Sequence, residues 1–225
     1  MELFHVLNRG VDGRILFKDS GDYVRFIHNM YEFNDANPAP QSNRRPGDIA
    51  DITIKEREIL VDVHAWVLMH NHYHLLLSEH REGGISLFMR KLNVGYANYF
   101  NERYQRSGTL FQGRTKKIHI ETDAHFLYIL HYIHLNPLDY LEGAQEWRVR
   151  DASKTSEVEF SQLQTHLHQY RWSSYQDYLG KKNFPSILTT TLFQEKLGDV
   201  QRSTEKYLQS ISDAQTAMLS KLFLE

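Results

Sequence analysis

The sequence predicts an α+β fold in which helices pack on an antiparallel β-sheet. Two observations indicate it: short apolar segments typical of strands occur as hairpin-like pairs, and segments with helical apolar spacing alternate with them. The chain has 225 residues, a net charge of −2 and a negative mean hydropathy. This length allows one well-filled domain with an appended piece.

The N-terminal part predicts a strand, a helix and a loop. Leu3 to Asn8 is expected to be the first strand, and turn-forming residues follow it. Ser20 to Phe33 carries apolar residues at helical spacing, with Ser20 as the expected N-cap. Residues 34–51 are polar and rich in proline and asparagine, so we expect a flexible loop within the domain there.

The following segments predict a hairpin and three helices. Two strands, Ile59 to Met69 and Tyr73 to Leu77, are expected to meet at a tight turn at His70 and Asn71. Beyond them we expect a long helix over about Ser86 to Tyr104 and an extended segment from Gly108 to Ile120. A further helix from Thr122 to about His134 is expected to end before Pro137, and a last helix is expected over about Ser203 to Leu222.

The composition argues against several classes of protein. No apolar run approaches the roughly 20 residues that cross a bilayer, and the first residues lack the basic and apolar regions of a secretory signal. The sequence has no cysteine, which excludes disulfides and thiolate metal sites and fits a cytoplasmic protein. A metal held by this chain would therefore need nitrogen or oxygen ligands.

Two histidines, His72 and His74, flank one residue inside the apolar run from Val67 to Leu77. In a strand, residues two apart share a face, about 6.5 to 7 Å apart along the strand. The two imidazoles could therefore converge on one divalent metal. The alternative is that both are ordinary strand histidines bonded to backbone or water.

A basic segment extends from Arg81 to His119, where eight basic residues stand against two acidic ones. Aromatic residues are interleaved with these charges: Tyr96, Tyr99, Phe100, Tyr104 and Phe111. Basic side chains neutralise phosphates and aromatic rings can stack on unpaired bases, so the segment predicts a local nucleic-acid-binding face. Alternatively, the aromatic residues belong to the core and the charges to a solvated face.

The helix before Pro137 adds a tyrosine and an asparagine. Its apolar stripe consists of Phe126, Ile129, Leu130 and Ile133. Tyr132 and Asn136 lie on one edge of that stripe, four residues apart, where side chains are neighbours. The tyrosine could reach a metal-bound phosphate and the amide could supply an oxygen ligand. Spacing leaves Tyr128 open as a second candidate, and a rim tyrosine with a helix-ending asparagine is the ordinary alternative.

Five motifs in this order resemble those of the REP-associated tyrosine transposases, which belong to the single-tyrosine HUH transposases. They are HVLNRG at His5 to Gly10, AWVLMHNHYHLLL at Ala65 to Leu77, GTLFQGRTKK at Gly108 to Lys117, YIHLNP at Tyr132 to Pro137, and YRWSSY at Tyr170 to Tyr175. The chain departs from the family in two places. His70 stands where members often have proline, and we expect it to be a turn residue; the loop 34–51 is longer than the family needs.

The resemblance implies a ferredoxin-like antiparallel sheet that carries the histidine pair, with the tyrosine helix packed beside it. It implies a DNA nuclease and strand transferase that uses Mg²⁺ or Mn²⁺ and cuts single-stranded DNA at hairpins. By motif, His72 and His74 are the metal ligands, Asn136 is the third ligand, and Tyr132 is the nucleophile that forms a 5′-phosphotyrosine. Residues 1–145 then form the HUH domain, and residues 146–225 form an extension that packs on it and helps to hold the hairpin.

The expected partners are single-stranded DNA and the hairpins of repetitive extragenic palindromes, and no membrane. The expected DNA contacts are Arg9, Arg103, Arg114, Lys116 and Lys117. We expect a cytoplasmic, nucleoid-associated monomer or homodimer. A catalytically idle hairpin-binding protein is the main alternative. A zinc hydrolase built on the histidine pair is disfavoured because no glutamate lies beside that pair.

Overall fold

The computed structural model describes residues 1–38, 56–142 and 160–210. Within these ranges the strands are β1 (Leu3–Arg9), β2 (Val61–Met69), β3 (His72–Glu79) and β4 (Lys116–His119). The α-helices are α1 (Ser20–Phe33), α2 (Gly84–Arg103), α3 (Asp123–Leu135), α4 (Phe160–Gln169), α5 (Tyr175–Tyr178), α6 (Thr191–Leu197) and α7 (Val200–Ser210). The predicted α+β class is confirmed. None of the helices in these ranges is long and apolar enough to cross a membrane.

The four strands form one antiparallel sheet in the order β2-β3-β1-β4. Because alternate side chains of a strand point to opposite faces, the sheet separates two apolar cores. Trp66 and Tyr73 belong to the core between the sheet and α1 and α2. Val67 and Leu76 belong to the core on the other face, which contains α3 and the helices after it.

The strand register determines which side chains stand beside the histidine pair. Val67, His74, Leu7 and Lys116 are successive partners across β2, β3, β1 and β4. Directly paired residues of antiparallel strands lie on the same face of the sheet. This row therefore lies on the α3 face, and Arg9, the partner of His72, lies on the same face.

Helix α1 has the predicted bounds but a different cap. Its N-cap is Asp19, whose carboxylate accepts hydrogen bonds from the backbone N–H groups of Gly21 and Asp22. Ser20 is the first helical residue, so the predicted cap is wrong by one position. Aspartate and serine are both good caps, and a sequence that contains them side by side does not distinguish them.

The start of the predicted loop is anchored to the strand that follows it. The side chain of Asn34 accepts hydrogen bonds from the N–H groups of Leu60 and Val61 and donates one to the carbonyl of Val61. Residues 39–51 of that loop lie outside the described residues.

The C-terminal part packs on α3 and on the free edge of β2. The backbone of Trp172 accepts from the N–H of Leu68, and the N–H of Ser174 donates to the carbonyl of Trp66. The hydroxyl of Tyr170 donates to the carbonyl of Leu68. The motif YRWSSY therefore satisfies backbone groups that an edge strand would otherwise expose.

Helix α3 is buried on more than one side, so the expectation of a single apolar stripe is wrong. Every residue from Tyr128 to Leu135 is buried. His131 explains part of this burial, since its two ring nitrogens lie 3.1 Å from the hydroxyls of Ser203 and Thr204 on α7. The described part of the predicted last helix thus covers the side of α3 that points away from the sheet.

We expect this contact to weaken in acid. Burial lowers the pKa of His131 to about 4, below the ordinary value near 6.5. A histidine with a lowered folded-state pKa contributes stability above pH 6.5 that is lost as the pH falls towards 4, at roughly 1.4 kcal/mol per pH unit. Urea unfolding at pH 7 and pH 4.5 measures the loss, and His131→Gln should reduce it. An equal loss in His131→Gln and the wild type would contradict this assignment.

Candidate active site

The histidine pair lies at the start of β3, directly after the turn that joins it to β2. The ring centroids of His72 and His74 are 5.0 Å apart and their planes differ by 88°. Tyr73, between them, points into the opposite core, where its hydroxyl donates to Asn93. His74 is buried and His72 is half-buried, so the pair extends from the interior towards the surface.

Each imidazole is oriented through its Nδ1 atom. Nδ1 of His72 donates to Oδ1 of Asn71 at 2.7 Å, since an amide oxygen only accepts. Nδ1 of His74 lies 2.9 Å from Nε2 of His5 on β1. A histidine held through one ring nitrogen presents the other to a metal, so Nε2 is the ligand atom that this arrangement offers on both residues.

The ring of Tyr132 lies against the buried end of the pair. Its centroid is 5.6 Å from that of His74 and 5.9 Å from that of His5, both edge-on. The ring of Tyr128 lies 5.6 Å from that of Tyr207 on α7. The geometry therefore brings Tyr132 to the histidines, where spacing along the helix had left two candidates.

Asn136 ends α3 and is completely buried. Its amide nitrogen donates to the carbonyl of Tyr132 at 2.7 Å, which makes its oxygen the atom suited to a metal. Four residues later, the hydroxyl of Tyr140 accepts from the N–H of His70, in the turn before His72. The end of α3 is thus fastened to the turn that leads into the histidine pair.

His70 lies in that turn, as expected from its position in the sequence. Its carbonyl accepts from the N–H groups of Leu16 and Phe17, and its ring packs on that of Tyr140 with centroids 4.4 Å apart.

By their chemistry, the three predicted ligands suit a divalent cation with open coordination positions. No group of three His, Cys, Asp or Glu side chains suited to a metal occurs in the described ranges. His72, His74 and Asn136 would supply two imidazoles and one amide oxygen. Such a set leaves room for phosphate oxygens and water, and suits borderline Mn²⁺ better than Mg²⁺, which prefers oxygen.

Burial holds His5 in its neutral form. It is 1% exposed, and burial, together with the nearby His125, lowers the pKa of His5 to about 3. At neutral pH the contact between His5 and His74 is therefore a hydrogen bond to an uncharged imidazole, which adds no positive charge beside His74.

A basic cavity lies next to the pair, at the β1–β4 side of the sheet. Its volume is about 140 Å³, and its lining is Leu7, Asn8, Arg9, Gln112, Arg114 and Lys116. Three of the predicted DNA-contacting residues line it. Arg9 is held in place by a hydrogen bond of 2.6 Å from its Nε to the side chain of Gln112.

The two other predicted DNA contacts are engaged elsewhere. Arg103 forms ion pairs with Asp19 and Asp22, at 2.8 and 2.9 Å. Lys117 pairs with Glu79 at 2.9 Å and lies over the ring of Phe4. Acidic partners neutralise both cations. Arg103 and Lys117 are therefore less available to a DNA phosphate than Arg9, Arg114 and Lys116, which line the cavity.

Four of the aromatic residues of the basic segment make structural contacts. Tyr96 and Phe100 are fully buried in the core beside α1, which makes them structural and removes them as stacking platforms for bases. Tyr99 and Tyr104 donate their hydroxyls to the buried carboxylate of Asp22. The core alternative is therefore right for Tyr96 and Phe100, and Tyr99 and Tyr104 are partly buried at the edge of that core.

Two comparisons with known proteins found similarity, one through a family model and one through the fold. A family model described as "Transposase IS200 like" matches residues 48–136, which include the histidine pair, Tyr132 and Asn136. No curated protein matches the chain. Among solved structures, a REP-associated tyrosine transposase bound to a REP hairpin is similar, with a TM-score of 0.50, 12% identity, and coverage of 84% of this chain and 85% of that one. At this identity the likeness shows the fold. The family match and the shared fold both agree with the resemblance that the motifs indicate.

Proposed function

We propose that this chain, whose residues 48–136 match the IS200-like transposase family, is a metal-dependent endonuclease and strand transferase that cuts single-stranded DNA beside hairpins. The observation that carries the proposal is the contact between the ring of Tyr132 and the buried histidine of the pair, with centroids 5.6 Å apart. A nucleophile and two metal-ligating imidazoles at one point of the sheet are what such a reaction requires.

His72 and His74 would hold the metal through Nε2, and Asn136 would add its amide oxygen. A bound divalent cation would polarise the scissile phosphate and stabilise the charge that develops in the transition state. The ligands themselves are neutral, so they do not offset the charge of the cation that serves this purpose.

Tyr132 supplies the nucleophile. An unperturbed phenol has a pKa near 10, so the phenol of Tyr132 must lose its proton as it attacks. The phenol oxygen bonds to phosphorus while the bond from phosphorus to the 3′-oxygen breaks, which leaves a 5′-phosphotyrosine and a free 3′-OH. Attack by a 3′-OH reverses the step and joins strands without an external energy source. Because Tyr132 is only 5% exposed, its side chain must turn outward for the phosphate to reach it.

Arg9, Arg114 and Lys116 would position the DNA backbone. Arg9 and Lys116 lie on the same face of the sheet as the histidine pair, through the register of β1 with β3 and β4. Cationic side chains that line a cavity beside the site suit phosphates on either side of the scissile one.

Loss of these cations should change the salt dependence of binding. For Arg114→Ala and for Lys116→Ala, the slope of log K against log salt should become shallower by about 0.7 to 0.9, because one fewer counterion is released. Fluorescence anisotropy with a labelled hairpin oligonucleotide at 50 to 300 mM salt measures this slope. Lys196→Ala, on α6 and outside the cavity, is the matched control. Unchanged slopes in both cavity variants would show that the DNA lies elsewhere.

Cleavage of a hairpin with a single-stranded foot tests the proposal as a whole. The probe is a 3′-end-labelled oligonucleotide with the sequence of a palindromic repeat from the source genome. With Mn²⁺ we expect one cut in the foot and one labelled product attached to the protein, and with EDTA neither. Tight binding with no cleavage in Mn²⁺ or Mg²⁺ would instead support a hairpin-binding protein.

A further inference from the structure

We propose that His5 is a positioning residue for the metal site, which fixes the orientation and the proton position of His74. This inference rests on the proposed function, because it takes His74 as a metal ligand. The juxtaposition that supports it is the 2.9 Å contact between Nε2 of His5 and Nδ1 of His74 in the interior of the protein.

The two histidines meet because of the register of β1 against β3. His5 is the partner of Leu76, and Leu7 is the partner of His74, so His5 and His74 are diagonal neighbours on the α3 face of the sheet. Their ring centroids lie 5.1 Å apart and their planes differ by 19°. Neither ring can rotate freely in this packed interior, where both residues are 1% exposed.

When His74 binds a metal, the contact with His5 fits one proton position only. A metal at Nε2 requires a lone pair there, so the proton of neutral His74 must lie on Nδ1 and be donated to Nε2 of His5. His5 is therefore an acceptor in the metal-bound protein. Asn71 does the same for His72, since its amide oxygen accepts from Nδ1 at 2.7 Å. Each ligand of the pair thus has its own orienting residue.

His5 also lies against the nucleophile. Its ring is 5.9 Å from that of Tyr132, edge-on. One buried side chain of β1 thereby contacts both a ligand on β3 and the tyrosine on α3.

Packing alone does not account for an imidazole at this position. Nδ1 of His5 is buried and has no hydrogen-bond partner among the described residues. A buried ring nitrogen without a partner costs stability, and phenylalanine would fill similar space without that cost. The polar function that the ring retains is its bond to His74.

Metal affinity, measured without any cleavage, tests the proposal. His5→Phe keeps a ring but removes the acceptor, and we expect Mn²⁺ to bind 10- to 100-fold more weakly in isothermal titration calorimetry. His5→Gln places an amide oxygen near the position of Nε2, and we expect an affinity within about threefold of the wild type, on the order of experimental scatter. In ¹⁵N spectra of the metal-free protein, neutral His74 should be protonated at Nδ1 in the wild type and in His5→Gln, and should populate both tautomers in His5→Phe.

His134→Phe is the matched control, because His134 is equally buried and bonds to Ser174 at 2.9 Å. It should leave the affinity for Mn²⁺ unchanged. If His5→Phe does not fold, as judged by circular dichroism, the comparison of His5→Gln with His5→Asn decides, since the shorter amide of Asn does not reach His74. Wild-type affinity in His5→Phe, or equal affinities in the Gln and Asn variants, would overturn the proposal.

Failure of the proposed function gives a different result. In that case the wild type itself would show no Mn²⁺ binding that depends on His74. Binding that His74→Ala abolishes and that His5 variants leave unchanged would refute only the role of His5.

Discussion

Tyr132→Phe is expected to bind Mn²⁺ and hairpin DNA as the wild type does and to lose DNA cleavage by a factor on the order of 10⁴ or more, the scale seen when an essential nucleophile is removed. Phenylalanine keeps the ring that packs edge-on against His5 and His74. Only the hydroxyl is lost, so the fold and the metal site should persist. The measurements are cleavage rate, DNA affinity and the yield of a denaturation-resistant protein–DNA complex.

Tyr128→Phe is the matched control for this substitution. Tyr128 lies on the same helix, is buried to a similar degree, and packs against Tyr207. Its variant should cleave within a few-fold of the wild-type rate. Persistent cleavage by Tyr132→Phe would mean that water or another residue attacks the phosphate. The protein would then be a metal-dependent hydrolase on the same fold.

Substitution of either histidine of the proposed ligand pair should have the second large effect. His72→Ala and His74→Ala should each reduce cleavage by about 10³-fold or more, because a ligand to the catalytic cation is lost. Hairpin binding should remain within a few-fold of wild type, since the cavity formed by Arg9, Arg114 and Lys116 is unchanged. Calorimetry with Mn²⁺ should show the loss of metal affinity directly.

His70→Ala separates a ligand role from a role in the turn. The backbone of His70, rather than its ring, forms the hydrogen bonds that hold the turn between β2 and β3. Its variant should therefore retain most of the metal affinity and cleavage. Equal losses in His70→Ala and His72→Ala would show that the ligand pair has been assigned incorrectly.

Local patterns in the sequence predicted the elements well and their contacts less well. Helix α1 has the predicted bounds, because its apolar spacing and its polar ends agree. The single apolar stripe expected on α3 was wrong, because α7 covers the helix from the other side through His131. Nothing in the local sequence of α3 shows that a segment some 70 residues later will pack there.

The candidate site shows the same limit. The spacing of His72 and His74 placed both on one face, since it depends only on strand geometry. His5 and Asn71 were missed as orienting residues. The role of His5 depends on the register of β1 with β3, which no local pattern encodes. Asn71 could have been noticed as an amide next to a ligand histidine.

The basic segment illustrates why charge counts do not locate a binding face. Lys116 and Lys117 are adjacent in the sequence, yet strand alternation places them on opposite faces of the sheet. Lys116 lines the cavity, and Lys117 pairs with Glu79. Arg103 pairs with acidic residues at the start of α1 that precede it by some 80 positions.

Mapping of the covalent junction between protein and DNA tests the central claim most directly. The wild-type chain would be incubated with the footed hairpin and Mn²⁺, denatured, digested with trypsin and nuclease, and analysed by tandem mass spectrometry. Trypsin leaves Tyr128 and Tyr132 on one peptide, residues 118–148, so fragment ions must separate them. We expect a nucleotide attached through its 5′-phosphate to the phenol oxygen of Tyr132. A nucleotide on Tyr128, or cut DNA with no protein attached at any time, would contradict the account.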